Sequence, residues 1–167
     1  MKIGAHLFIN KGLNSVFELS SLLGCDSFQV FLHNPRGWYR KPREDDELGL
    51  FKGTLKKTEI TPVVVHMPYL MNFASPDKSI VLKSSKILEI ELEECEKMGV
   101  SFYVIHPGSH KGLGVKYGID LIVDNLKHFT GSKVKILLEN TAGQGNSIGS
   151  RWSELGEISD KLHNKVG

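Results

Sequence analysis

Three short strand-like stretches in this sequence each end on a residue able to ligate a metal: TPVVVH at His66, SFYVIH at His106 and KVKILLE at Glu139. Neutral imidazole nitrogen and carboxylate oxygen are the usual ligands of zinc in hydrolytic sites, and side chains at the ends of rigid strands can hold donor distances of about 2 Å. Each residue also has a plainer reading. A histidine at a strand end can anchor the following loop or act as a general acid-base group, so no single one of them identifies a metal site. Glu139 is more demanding, because a carboxylate following Leu137 and Leu138 has to be paired, hydrogen-bonded or metal-bound. Together the three point to a metal or catalytic site without naming its substrate.

Donors at the carboxyl ends of successive parallel strands are how a β/α barrel builds its active site, and the rest of the chain has the matching alternation of strand and helix patterns. Strands are expected at residues 2–5, 27–31, 63–65, 102–105 and 134–138. Val63 to Val65 and Phe102 to Ile105 show no polar alternation, as expected of strands covered on both faces. Pro62 stands just before the valines, where its missing donor leaves the strand interior intact. Asn14 and Gly24 bracket a first helix at 14–23. Acidic residues at 44–47 and the Lys56, Lys57 pair favour a second at 44–57, although Gly49 and Gly53 weaken it.

The third helix has Ser75 as its cap, Pro76 in its first turn, Val81, Leu88, Leu92 and Cys95 at helical spacing, and Gly99 at its end. Helices at 115–129 and 151–162 follow, the last with Trp152, Leu155, Ile158 and Leu162 on one stripe. The expectation is an α/β fold, a TIM-type β/α barrel with about five βα units, in which residues 1–167 form one portion of a single barrel domain with no internal boundary. A complete barrel takes roughly 250 residues and this chain has 167. The barrel is therefore expected to be incomplete, with its first and fifth strands lacking the neighbours that closure supplies.

Composition narrows the class. With 40% hydrophobic and 24% charged residues, the chain is that of a folded globular core and not of a disordered tail. The formal charge of +2 is too small to argue nucleic-acid binding, which declares itself by a local basic patch. Cys25 and Cys95 are too far apart in sequence for a zinc knuckle or redox pair, and read as buried small hydrophobes in a reducing compartment. The amino-terminal apolar run is too short for a signal peptide core, and no stretch reaches the 18 apolar residues of a membrane span. The expectation is a soluble intracellular protein, cytoplasmic or nucleoid-associated, with no membrane partner.

One local basic patch does exist. Arg36, Arg40, Lys41 and Arg43 interleave with Trp38 and Tyr39, combining phosphate attraction with planar surfaces able to pack on sugars or exposed bases. The plain alternative is a solvated loop with an aromatic pair covering the barrel rim.

Five segments carry a resemblance that spans nearly the whole chain: GAH at 4–6, NPRGW at 34–38, VHMPYLMNFASP at 65–76, VIHPGSH at 104–110 and LLENTAGQG at 137–145. In this order and spacing they resemble the successive motifs of the endonuclease IV family of apurinic/apyrimidinic endonucleases. The resemblance implies a β/α barrel with a trinuclear zinc site that hydrolyses the phosphodiester 5′ to an abasic nucleotide in duplex DNA, in base excision repair, and trims blocked 3′ ends. By motif, His66 and His106 would be zinc ligands and Glu139 a carboxylate bridging two metals, so that these three carry the catalysis. Arg36 and Tyr69 match positions that enter the helix at the lesion, which suits a nucleotide that has already lost its base stacking. Trp38 and Arg40 belong to the same DNA-facing stretch.

In the family, a following segment similar to VGVCLDTCHAF supplies more ligands, and Val166 and Gly167 resemble its first two residues. The chain thus resembles the amino-terminal part of such an enzyme, and the remaining ligands of a three-zinc site would come from a carboxyl-terminal half or a second copy. Met67 and Pro68 depart from some relatives, and Pro35 and Gly37 flank Arg36 in a way that bears on its reach into the groove. His6 reads as a group that orients water, ligand or phosphate, or equally as a hydrogen-bonding partner behind the ligands. His33 is a further candidate, and His110, in the PGSHKGLG loop, is placed near metal and DNA. The glycines there, like Gly143 and Gly145, suit close approach to phosphate or ordinary turns. Two alternatives remain open: a non-catalytic half-barrel that binds DNA or metal, and a sugar isomerase-like metal enzyme, against which the ENTAGQG and HPGSH segments argue.

Overall fold

A computed structural model describes residues 1–38 and 41–167. Five parallel strands lie side by side in chain order: β1 (Gly4–Leu7), β2 (Ser27–Val30), β3 (Val63–His66), β4 (Phe102–Ile105) and, after a two-residue β5 (Gly108–Ser109), β6 (Lys135–Leu138). Helices α1 (Ser15–Leu22), α2 (Asp45–Leu55), α3 (Lys78–Met98) and α4 (Val115–Leu126) make the crossovers, and α5 (Trp152–Lys161) follows a two-residue β7 (Ser147–Ile148). This is a partial β/α barrel. Gly167 lies along β6: its N–H donates to Ile136 O at 2.9 Å, and Leu138 N–H donates to Gly167 O at 2.6 Å. Among the described residues, β1 has a strand neighbour on one side only.

Alternation along the strands sends one set of side chains to each face. Phe28, Val30, Val63, Val65, Tyr103, Ile105 and Ile136 are buried toward the helices. There Phe17 and Phe51 close on Phe28, with ring centroids 4.8 to 6.5 Å apart. The opposite set, including Gln29, Val64, Val104 and Leu137, is only half-buried and lines the concave face. His6, His66, His106 and Glu139 fall in register with this second set, so that the candidate ligands and the open side of the sheet coincide.

Several elements differ from the sequence expectation. β1 begins two residues later and runs to Leu7, which places His6 within the strand and not beyond it. α3 is capped by Asp77, whose side chain accepts from Ser79 N–H at 2.8 Å, while Ser75 Oγ accepts from Asp77 N–H at 3.1 Å and shapes the turn before the helix. Trp152 leaves the apolar stripe of α5: it is 80% exposed, whereas Leu155, Ile158 and Leu162 are buried. Cys95 is buried as expected, but Cys25 is only partly so, and the two are not joined in a disulfide. Gly49 and Gly53 sit within α2 where an added Cβ would meet nothing within 4 Å, so their only cost is conformational. No helix among the described residues is long and apolar enough to cross a membrane.

Candidate metal centre

The parallel register carries His66 opposite Val104. Backbone bonds then continue past the strand ends, from Met67 N to Val104 O and from Glu139 N to Ile105 O. Consecutive strands are thereby held level where His66, His106 and Glu139 emerge. One ligand atom from each lies within 4.8 Å of the others. His66 is buried, while the His106 and Glu139 side chains are 33% and 42% exposed, so the cluster has a protein-facing side and a solvent-facing side.

The hydrogen bonds fix what the cluster presents. A backbone carbonyl only accepts, so Nδ1 of His66 donates its proton to Met67 O at 2.7 Å, which leaves Nε2 as the ring atom facing Glu139. Nε2 and Glu139 Oε2 are nevertheless 2.6 Å apart, and the same oxygen lies 3.2 Å from His106 Nε2. Two lone pairs hold that separation only with a proton or a cation between them. Burial, reinforced by His66 and opposed by Glu139, lowers the pKa of His106 below the ordinary histidine range. Its imidazole is kept neutral, which is the form that binds metal. Two histidines and one glutamate are a full donor set for one catalytic zinc with an open fourth position, and these residues fit that ion.

Aromatic rings wall the cluster. Phe31 meets His66 edge-on at 5.2 Å, His66 and His106 lie 4.9 Å apart, and Tyr69 stacks on His106 at 6.1 Å with 19° between planes. His6 sits 6.2 Å from His66 but does not join the ligand group; its Nδ1 faces Gln29 Nε2 at 3.0 Å. Its pKa is likewise lowered, by burial first and then by His66.

The remaining sequence candidates divide. Arg36 is exposed on a turn built by Asn34, whose Oδ1 accepts from Arg36 N–H at 3.0 Å. Tyr69 is 52% exposed, and its N–H donates to Pro35 O at 2.8 Å, so the Arg36 and Tyr69 loops are bonded to each other. Trp38 is half-buried against the core with Lys83 Nζ 5.7 Å from its ring, a rim-covering position. Arg43 is used by the fold, bonding Glu47 and Leu32 O. Arg40 and Tyr39 lie outside the described residues. His110 is 8% exposed and accepts two N–H groups, from Gly112 and Gly114, at Nδ1. It staples its loop and does not stand at the surface.

Sequence reasoning missed three features. β5 and β7 pair antiparallel and join the PGSH loop to the segment after AGQG. Met67 touches both histidines, through its carbonyl to His66 and through its sulfur to His106 N–H. Glu91, fully buried on α3, accepts from His33 at 2.8 Å and from the Tyr103 hydroxyl. A signal for that last one existed, since Glu91 falls between Leu88 and Leu92 on the apolar stripe.

The profile of the xylose isomerase-like TIM barrel family matches residues 17–167. A probable endonuclease 4 of Cenarchaeum symbiosum is 44% identical over 166 residues, covering 97% of this chain and 59% of that protein. The crystal structure of endonuclease IV from Thermus thermophilus superposes with a TM-score of 0.82 at 29% identity, covering 95% of this chain and 59% of that one. A D-psicose 3-epimerase structure reaches a TM-score of 0.77 over 99% of this chain and 62% of its own, but at 14% identity it shares the fold alone. The chain thus spans about three fifths of the length of the endonuclease relatives it matches. It belongs to the xylose isomerase-like TIM barrel family and, within that family, to the homologues of endonuclease IV.

Proposed function

We propose that these residues are part of a zinc-dependent apurinic/apyrimidinic endonuclease that, as a complete barrel, hydrolyses the phosphodiester 5′ to an abasic nucleotide in duplex DNA during base excision repair. The observation that carries this reading is the single oxygen of Glu139 lying 2.6 and 3.2 Å from two imidazoles. His66, His106 and Glu139 would hold one zinc, and Glu139, a carboxylate with a second oxygen and a partly exposed side chain, is the residue suited to bridge to another ion. A three-zinc site needs donors beyond this cluster, from a carboxyl-terminal half or a second copy. The chemistry that bound zinc supplies is acidification of a water nucleophile and neutralisation of phosphate charge.

The chain's own side chains do the rest. Met67 O holds the His66 tautomer that leaves Nε2 for the metal. Phe31, buried against His66, excludes water from the protein side. Arg36 and Tyr69, on loops tied by one backbone bond, enter the duplex as a pair where base stacking is missing. Trp38 supports that loop from beneath. His6 acts through Gln29 and the ligand layer, and His110 through the loop it staples. A DNA substrate suits an intracellular, nucleoid-associated location, and residues 1–167 belong to one barrel domain.

The test is binding of a labelled duplex with one abasic analogue against an intact duplex of the same sequence, with zinc and with His106→Ala in parallel. Zinc-dependent preference for the abasic duplex, lost in the variant, is expected. Equal binding of both duplexes refutes the reading. Incision by this chain alone is expected to be weak or absent, because its cluster offers ligands for a single ion.

A further inference from the structure

Beside the metal cluster, and sharing His106 and Tyr69 with it, is a cavity of about 370 Å³. Its other walls include Asn72, Ser75, Ser109, Lys111, Thr141 and Ser147, and among the described residues no carboxylate lines it. One cation, four hydroxyls and an amide are a lining suited to an anion. Among the described residues no acidic group pairs with Lys111, whereas Lys97, Lys116, Lys127 and Lys161 are each paired with a carboxylate.

The cavity is also rigidly built. Asn72 clamps both peptide groups of Ser109: its Nδ2 donates to Ser109 O and its Oδ1 accepts from Ser109 N–H, each at 2.9 Å. The β5–β7 pair fixes Ser109 opposite Ser147. Lys111 has φ of 51°, a left-handed conformation uncommon for a residue with a side chain. The two N–H groups that His110 gathers hold the turn in that shape. Left-handed backbone outside glycine is strained and persists where its surroundings over-determine it.

We infer that this cavity is an anion subsite for a DNA phosphodiester flanking the one presented to the metal cluster, with Lys111 as its charge. This rests on the endonuclease reading and specifies where the substrate backbone is gripped. A phosphate seated there would fix the strand's register relative to His106 without touching the reacting phosphorus.

The test uses the 167-residue chain with zinc and a fluorescent duplex carrying one abasic analogue, titrated at several salt concentrations. Lys111→Asn removes the charge with a residue that tolerates left-handed backbone, so folding is preserved; Lys111→Arg restores the charge. Each phosphate neutralised contributes about 0.9 to the slope of log affinity against log salt. The expected result is that Lys111→Asn flattens the slope by about that amount and weakens binding roughly five- to tenfold near 0.1 M salt, while Lys111→Arg retains both. An unchanged slope in Lys111→Asn overturns this inference alone. Failure of the unsubstituted chain to prefer abasic DNA overturns it together with the reading beneath it.

Discussion

Replacing Glu139 by Gln is isosteric and removes one charge from the centre of the cluster. Its Oε2 is the atom both imidazoles face, at 2.6 and 3.2 Å. With the carboxylate about two-fifths exposed, at 42%, a water-like dielectric is appropriate. A divalent ion about 2 Å from a unit charge then gains roughly 4 kcal/mol. The amide oxygen and solvent return part of that, leaving a loss of about 2 to 3 kcal/mol, or roughly 30- to 150-fold in affinity. Competition between the chain and a chromophoric chelator for zinc reads this directly, without depending on DNA cleavage. Glu89→Gln, on the exposed side of α3, is the control for net charge. Zinc affinity in Glu139→Gln within about threefold of the unsubstituted chain, or an equal loss in Glu89→Gln, would refute a direct ligand role.

Other expectations follow from the same contacts. Glu91→Ala removes the buried acceptor shared by the Tyr103 hydroxyl and His33 Nδ1 and is expected to cost about 3 kcal/mol in urea unfolding; a change under about 0.5 kcal/mol would contradict the network. Gly108→Ala is expected to cost about 2 kcal/mol or more by the same assay, because φ is 118° and a Cβ would overlap Asn72 Oδ1 and crowd Ala74 N at 3.1 Å. The pH response of the metal-free chain has a definite sign. Burial lowers His6 and His106 in the folded state, so the unfolded chain takes up protons first, and their contribution is full above about pH 6.5 and declines as pH falls through and below it. A smaller slope in His106→Asn is expected, and an unchanged slope would contradict the assignment.

What was legible from sequence was whatever depends on an apolar run and its end. The three candidate ligands could be read from sequence because a short strand-like run ending in a histidine or glutamate places that residue at the strand's mouth, where the structure brings the three together. What failed depended on competition between neighbours. Ser75 and Asp77 are both good caps, and only backbone geometry decides that Asp77 takes the role. Trp152 obeys the helical period yet sits on an exposed flank of α5. His110 has the composition of a surface site but spends its Nδ1 on two backbone N–H groups that no pattern announces. Likewise the two-residue β5 and β7 are too short to carry a period, although their pairing joins two loops at the rim. Arg43 shows that a basic patch is not a count of cations, since its charge is turned inward to Glu47 and Leu32.

The most direct measurement is anomalous scattering at the zinc absorption edge from crystals of the chain grown with zinc. The account predicts a peak about 2.0 to 2.2 Å from His66 Nε2, His106 Nε2 and a Glu139 carboxylate oxygen. A strong zinc peak elsewhere, with none between these three side chains, would contradict it.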